Sequence, residues 1–296
     1  MNLKRIIEGP VLALLFVVIF VYVISGVQGF LGGLIQGANS SQFLANVSGA
    51  YAQPEAIKIN AQSAMSLGSD LSGVSKIIFE KASGEKLPIA SITKLMTAIV
   101  VLDNYNLSDT VAVDSIADSQ APIKHDVMLG NVMTVENFLY IMLVGSSNKS
   151  AYALSGLIGE QKFVALMNKK AKGLGMDNTF FADPTGLSSQ NISTAGDLTK
   201  LAGHILRYYP KIAQMSRVKE LYVPGFGNVV NTDELLNEIP NAVLSKTGFT
   251  TQANGCLLLV TSNPQNNDYL INIVLGADDR FAEMQKLINC YTASCQ

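Results

Sequence analysis

The sequence predicts an α/β domain of the α+β kind over residues 58–296. One antiparallel sheet is assembled from both ends of the domain and flanked by helices, an all-helical subdomain is inserted in the middle, and a transmembrane helix stands in front. Three observations lead there. Apolar-alternating runs fill residues 73–90 and return only late, as "AVLSKTGFT" (242–250), "GCLLLVTS" (255–262) and "DYLINIVLGA" (268–277). Between them, apolar residues recur at helical spacing. Ahead of both lies "PVLALLFVVIFVYVI" (10–24), which carries no charge. Strands at the two ends with helices between them imply a single sheet with an insertion, and the junction of two such parts is where pockets are common.

The uncharged stretch continues through Gly26, Phe30, Leu34 and Ile35, enough for a span of about 20 residues. Lys4 and Arg5 in front of it place residues 1–8 in the cytoplasm, residues 9–35 in the membrane and the rest outside. The expectation is therefore a single-pass cell-membrane protein whose folded domain faces outward. A cleaved signal peptide is the alternative, with small-residue sites at "VQG" (27–29) and "AYA" (50–52). Residues 36–57 are small and polar with a single charge, and read as a linker. The domain opens with "GVSKIIFEKASGEKLPIA" (73–90), which reads as a hairpin about Ser83-Gly84. Helices follow over about 91–104, on both sides of a break at Gly145 to Asn148, and over 161–173 and 194–207. A last helix covers about 279–291.

Composition narrows the chemistry. The chain has 296 residues, 48% of them apolar, and a net charge of -2. Setting aside Lys4, Arg5 and Glu8 leaves 19 basic and 22 acidic residues, with no basic stripe, so nucleic acid is not an expected partner. The three cysteines are too few for a disulfide framework. Cys256 reads as a small core residue, whereas Cys290 and Cys295 could pair. His125 and His204 share no ligand spacing with each other or with a cysteine, and neither a metal nor another cofactor is expected.

Ser-x-x-Lys occurs four times, at Ser83/Lys86, Ser91/Lys94, Ser146/Lys149 and Ser216/Lys219. Only Ser91/Lys94 heads an apolar helix, where one turn sets the amine beside the hydroxyl. Desolvation lowers a lysine's pKa, so part of the population is neutral and can take the serine proton. Alone, the pair is more simply a serine N-cap followed by a snorkelling lysine. Downstream, "GSSNKS" supplies Ser146 and Asn148 between two helices, and "SKTGFT" supplies Lys246, Thr247 and Gly248 on an apolar strand.

Ser-x-x-Lys, Ser-x-Asn and Lys-Thr-Gly, in that order, resemble the three boxes of the penicillin-binding and serine β-lactamase superfamily. Each box is weak by itself, since "SQN" (189–191) also fits the second. Within the superfamily the chain is most similar to the low-molecular-mass D-alanyl-D-alanine carboxypeptidases. The likeness runs through "IASITKLMTA", "TVENFLYIMLVGSSNKSA", "FADPTGL", "STAGDLTKLA" and "KTGFTTQANGCLLLV", over about residues 58–292.

The resemblance implies a β-lactamase/transpeptidase-like fold and a serine D,D-carboxypeptidase that removes the terminal D-alanine of peptidoglycan stem peptides, with β-lactams as covalent inhibitors. It implies Ser91 as nucleophile, Lys94 as its base, and Ser146 as a proton relay between Lys94, Lys246 and the leaving amine. Asn148 would hold a substrate carbonyl and orient Lys94. Lys246 and Thr247 would bind the terminal carboxylate, Gly248 would let the peptide lie against the strand, and the N–H groups of Ser91 and Phe249 would form the oxyanion hole. Arg280 resembles an arginine that assists carboxylate binding, and reads equally as a surface charge at a helix start.

Three departures from the family pattern stand out. Asn148-Lys149-Ser150 replaces the common Asn-Asp-Ala, Asp183 replaces a frequent asparagine, and no β-rich domain or C-terminal anchor follows the last helix, so the N-terminal helix would do the anchoring. The rival functions are D,D-endopeptidase, class A-like β-lactamase and a silent wall-binding or penicillin-sensing module. The lactamase needs a deacylating glutamate shortly after the second box, where Glu160 is the sole one between 155 and 200 and lacks the expected context.

Overall fold

The structure, a computed structural model, describes residues 57–69, 75–124, 126–263 and 268–293. The span read at 9–35, the linker up to residue 56, His125, Cys295 and the side chain of Cys290 lie outside the described residues.

Five strands form the main sheet, in the order β2-β1-β11-β10-β9. They are β1 (Ser63–Ser69), β2 (Ser75–Lys81), β9 (Ala242–Thr250), β10 (Asn254–Ser262) and β11 (Tyr269–Ala277), and every neighbouring pair is antiparallel. The sheet does draw on both ends of the domain. Its centre is apolar on both faces, which explains the unbroken run in β10: Leu257 and Leu259 enter one hydrophobic cluster and Leu258 and Val260 another. The first cluster includes Met284 and Leu287 of the closing helix, and the second packs against the inserted helices.

The insertion is not all-helical. Its helices are α1 (Lys94–Asn104), α2 (Ser115–Asp118), α3 (Val135–Leu143), α4 (Asn148–Gly156), α5 (Glu160–Gly173), α6 (Ala195–Tyr208) and α7 (Pro210–Ser216), and α8 (Arg280–Ala293) closes the chain. Three two-stranded ladders accompany them: β3 (Leu87–Pro88) with β6 (Ile192–Ser193), β4 (Thr110–Ala112) with β5 (Val132–Thr134), and β7 (Glu220–Val223) with β8 (Gly227–Val230). They are too short to leave a period-2 signature.

The hairpin read about Ser83-Gly84 is also corrected. β2 pairs backward with β1, Ser75 opposite Ser69, and β3 pairs with β6 far along the chain. Glu85 N donates to Ala82 O in a turn, and Ala82 has φ 46°. The turn therefore steers the chain off the sheet, and Pro88, lacking an N–H, cannot sustain a ladder with β2.

Helix starts follow local capping. Thr134, Ser147 and Thr194 accept hydrogen bonds from Asn137 N, Ser150 N and Asp197 N, each satisfying an otherwise orphaned first-turn donor. Helix α1 is different: Lys94 through Val101 are all buried, so it runs through the interior and not along it. It grows from a 3-10 turn at Ala90–Thr93 that carries Ser91.

Candidate active site

Ser91 sits where this 3-10 turn meets β9. A Cβ on Gly248 would stand 2.9 Å from Ile89 O and 3.1 Å from Ser91 N. Only glycine lets strand and turn touch there. β9 is an edge strand of the sheet, so along one side its backbone groups have no neighbouring strand among the described residues. That side borders a cleft of about 720 Å³, lined by Ser91, Ser146, Asn148, Thr247, Gly248, Phe249 and Arg280. Seven of the nine residues picked from the sequence thus share one cavity, and Lys94 and Lys246 lie beneath its floor, 0% and 1% exposed.

Lys94 Nζ donates to Ser91 Oγ, Asn148 Oδ1 and Thr185 O, each at 2.8 Å. Two of these partners, the amide oxygen and the peptide carbonyl, can only accept. When the amine is neutral its two hydrogens go to them, and the lone pair is left facing the serine hydroxyl. Burial holds the Lys94 pKa well below the ordinary lysine value, the Lys246 charge lowers it further, and the Asp183 and Asp126 carboxylates oppose. The geometry and the charge balance both leave Lys94 able to accept a proton.

The Thr185 carbonyl is held in place by a loop built on Asp183. Its carboxylate accepts from Thr185 N, Thr185 Oγ1, Gly186 N and Ser188 N at 2.6 to 2.7 Å. Gly186 has φ +88°, and a Cβ there would fall 1.9 Å from Ala90 O, so the loop rests directly on the turn before Ser91. The aspartate at position 183 is therefore a loop-closing anion whose four donors repay its burial.

Asn148 also donates Nδ2 to Ala121 O at 2.8 Å, which fixes its amide where the residue lines the cleft. Lys149, where relatives often carry aspartate, pairs with Asp118 at 2.7 Å. Ser146 has φ 65° in the turn between α3 and α4. No hydrogen bond joins its hydroxyl to either amine: Lys94 is engaged elsewhere, and Lys246 Nζ has no partner among the described residues.

Burial lowers the Lys246 pKa to about 7; the Asp233 charge raises it and the Arg280 charge lowers it. Arg280 lines the cleft at the start of α8, and its Nε has no partner among the described residues. Thr247 Oγ1 is 2.5 Å from Thr232 Oγ1. Sequence reading passed over Thr232, Asp233, Thr185 and the apolar wall of Ile123, Leu187, Phe226 and Val229. Single residues in loops give no periodic signal, and only the "FADPTGL" run marked one of those loops in advance. Glu160 begins α5, accepts from the Tyr152 hydroxyl at 3.1 Å, and is not among the cleft residues.

Fold and site together define a penicillin-binding serine peptidase. The structure is similar to that of penicillin-binding protein D2 from Listeria monocytogenes in its cefotaxime-bound form, with a TM-score of 0.71 and 26% identity over 80% of this chain and 98% of that one. Residues 49–279 match the family described as D-alanyl-D-alanine carboxypeptidase, peptidase S11, and the chain belongs to that family. It is 36% identical over 226 residues to a D-alanyl-D-alanine endopeptidase of Pseudomonas aeruginosa, covering 72% of each chain. To the D-alanyl-D-alanine carboxypeptidase DacF of Bacillus subtilis it is 32% identical over 229 residues, covering 72% of this chain and 58% of that one.

Proposed function

We propose that the protein is a serine D,D-carboxypeptidase that cleaves the terminal D-alanine from peptidoglycan stem peptides through an acyl-enzyme on Ser91. The observation that carries this is the arrangement at Lys94, where two acceptor-only oxygens fix two hydrogens and the third direction points at Ser91 Oγ, 2.8 Å away. The peptide lies along the free side of β9, its terminal carboxylate near Thr247 and Arg280 over the Lys246 charge. Ser91 Oγ attacks the carbonyl carbon of the penultimate residue as its proton passes to Lys94 Nζ. The oxyanion turns to the N–H groups of Ser91 and Phe249. The C–N bond then breaks as the leaving nitrogen takes, by way of Ser146, the proton that Lys94 received, and D-alanine departs with Lys94 neutral again. Water then gives a proton to Lys94 as it attacks the ester carbon, the C–O bond to Ser91 breaks, and Lys94 returns the proton to Ser91 Oγ.

A β-lactam follows the same path, but its leaving nitrogen stays tethered. Among the described residues no glutamate lines the cleft to serve as a second base for water, and the tethered amine stays where that water would enter, so the penicilloyl ester persists. The uncharged run at 10–24 behind Lys4 and Arg5 supports a membrane-tethered domain on the outer face of the cell, next to the wall.

The test is incubation of the full chain, in detergent, with a pentapeptide ending in D-Ala-D-Ala and with a crosslinked stem-peptide dimer. D-alanine release from the pentapeptide alone is the expected result. Cleavage of the dimer would support the second reading, a D,D-endopeptidase, which the name of the Pseudomonas relative favours. Labelled penicillin should remain on Ser91, and a folded protein that does not label would overturn both readings.

A further inference from the structure

We infer, on the carboxypeptidase reading, that Lys124 is a specificity-determining residue, the cationic group that selects stem peptides carrying a free carboxylate upstream of the scissile bond. Lys124 and Arg280 are the charged residues lining the cleft, and no carboxylate lines it among the described residues. Arg280 serves the terminal carboxylate in the proposed reaction. Lys124 has no part in that chemistry.

The loop that presents Lys124 is tied directly to the second box. Three consecutive residues at the start of α4 reach three points on the segment that carries it. Ser147 Oγ donates to Asp126 Oδ1 at 2.5 Å, Asn148 Nδ2 donates to Ala121 O at 2.8 Å, and Lys149 Nζ pairs with Asp118 at 2.7 Å. Asp126 also accepts from Ile123 N at 3.1 Å and from Val127 N at 2.9 Å, so its charge is turned back into the loop. Lys124 is exposed and makes no ion pair among the described residues. Its charge is therefore offered to the cleft unneutralised.

Position decides which part of a substrate it meets. Asn148, which would hold a substrate carbonyl, is hydrogen-bonded to this loop through Ala121 O. Arg280 belongs to the sheet side, where a Cβ on Gly255 of β10 would lie 3.2 Å from the Arg280 Cβ. A peptide with its C-terminus at Arg280 and a carbonyl at Asn148 brings its earlier residues past the Lys124 loop. Those residues offer one chemistry from two sources: the free α-carboxylate of a γ-linked D-glutamate, or the side-chain carboxylate of a diamino diacid in third place. A peptide with neither brings only the lysine ammonium, for which the cleft holds no anion among the described residues. Selectivity then comes from attraction of one class and from repulsion of the other.

The experiment compares kcat/KM for D-alanine release by the full chain, in detergent, from three pentapeptides ending in D-Ala-D-Ala. The first carries D-isoglutamine and lysine, the second D-isoglutamate and lysine, and the third D-isoglutamine and diaminopimelate. At least one carboxylate peptide should exceed the first by about fivefold, the scale of one solvent-accessible ion pair, and which of them does so names the source. Lys124→Ala should bring that ratio close to one, Lys124→Glu should invert it, and added salt should shrink it in wild type.

Equal values for the three peptides in wild type, or a preference that survives Lys124→Glu, would overturn the inference. Wild type that releases D-alanine from none of them would overturn the functional reading instead. Equilibrium binding of the same peptides would then judge Lys124: the carboxylate preference should hold in wild type and invert in Lys124→Glu, and the same order in both proteins would overturn it.

Discussion

At Lys94 a single side chain is both a burden on folding and the source of the reaction. Lys94→Ala should reduce penicillin acylation on the order of 10³-fold, the scale for a removed general base, while a thermal melt changes only modestly, because the cost of a desolvated amine is removed together with the hydrogen bonds it gives Asn148 Oδ1 and Thr185 O. A large drop in melting temperature would mark the amine as structural. Gly186→Ala combines φ +88° with a Cβ 1.9 Å from Ala90 O, and should cost several kcal/mol, more than about 2, and abolish labelling of Ser91. Chemical denaturation and gel labelling check the two effects. The identity of these residues was readable from the three boxes, but not their division of labour. That Lys94 has two acceptor-only partners depends on Thr185 O, a backbone atom brought in by a loop 91 residues away.

Among the elements, the Asp183 loop links chain geometry to base strength. The Asp183 charge raises the Lys94 pKa, so Asp183→Asn should move the acid limb of acylation to lower pH, since Lys94 then gives up its proton more readily. Asp183→Ala should in addition lower the plateau, because four donors lose their acceptor. Rate profiles of the two variants separate charge from scaffolding, and an acid limb moved upward in Asp183→Asn would refute the assignment. Strands β9, β10 and β11 and helices α3 to α6 were legible because each is long and apolar on one or both faces. β1 was not: "SAMSLGS" is poor in β-branched residues, and its place between β2 and β11 comes from its partners, not its own propensity. β3 and β6, two residues each, exist only as a pair.

For the molecule as a whole, two buried lysines imply a trade of stability for activity. Lys246 has a pKa of about 7 in the folded protein against about 10.4 unfolded. Below pH 7 it is charged in both states and the full burial cost is present; as pH rises from 7 toward 10 the unfolded chain alone holds the proton and the cost fades. Lys246→Met should therefore stabilise the protein by a few kcal/mol at pH 6, with the gain disappearing near pH 10, and should lose acylation at every pH. Melting curves across that range check it, and a gain that grows with pH would contradict the burial argument.

The edge position of β9 has a further consequence. An edge strand that must stay open for a peptide is equally open to the edge of any other sheet, the usual route to sheet-to-sheet aggregation. The opposite side of the cleft here is the β7–β8 hairpin, which contributes Phe226, Asn228, Val229 and Val230. Hairpin and strand line the same cleft of about 720 Å³, a volume on the scale of one extended peptide and not of a folded sheet. The hairpin thus works as a guard of solubility, and shortening it should first appear as oligomers on a sizing column, before any change in the fold of the monomer.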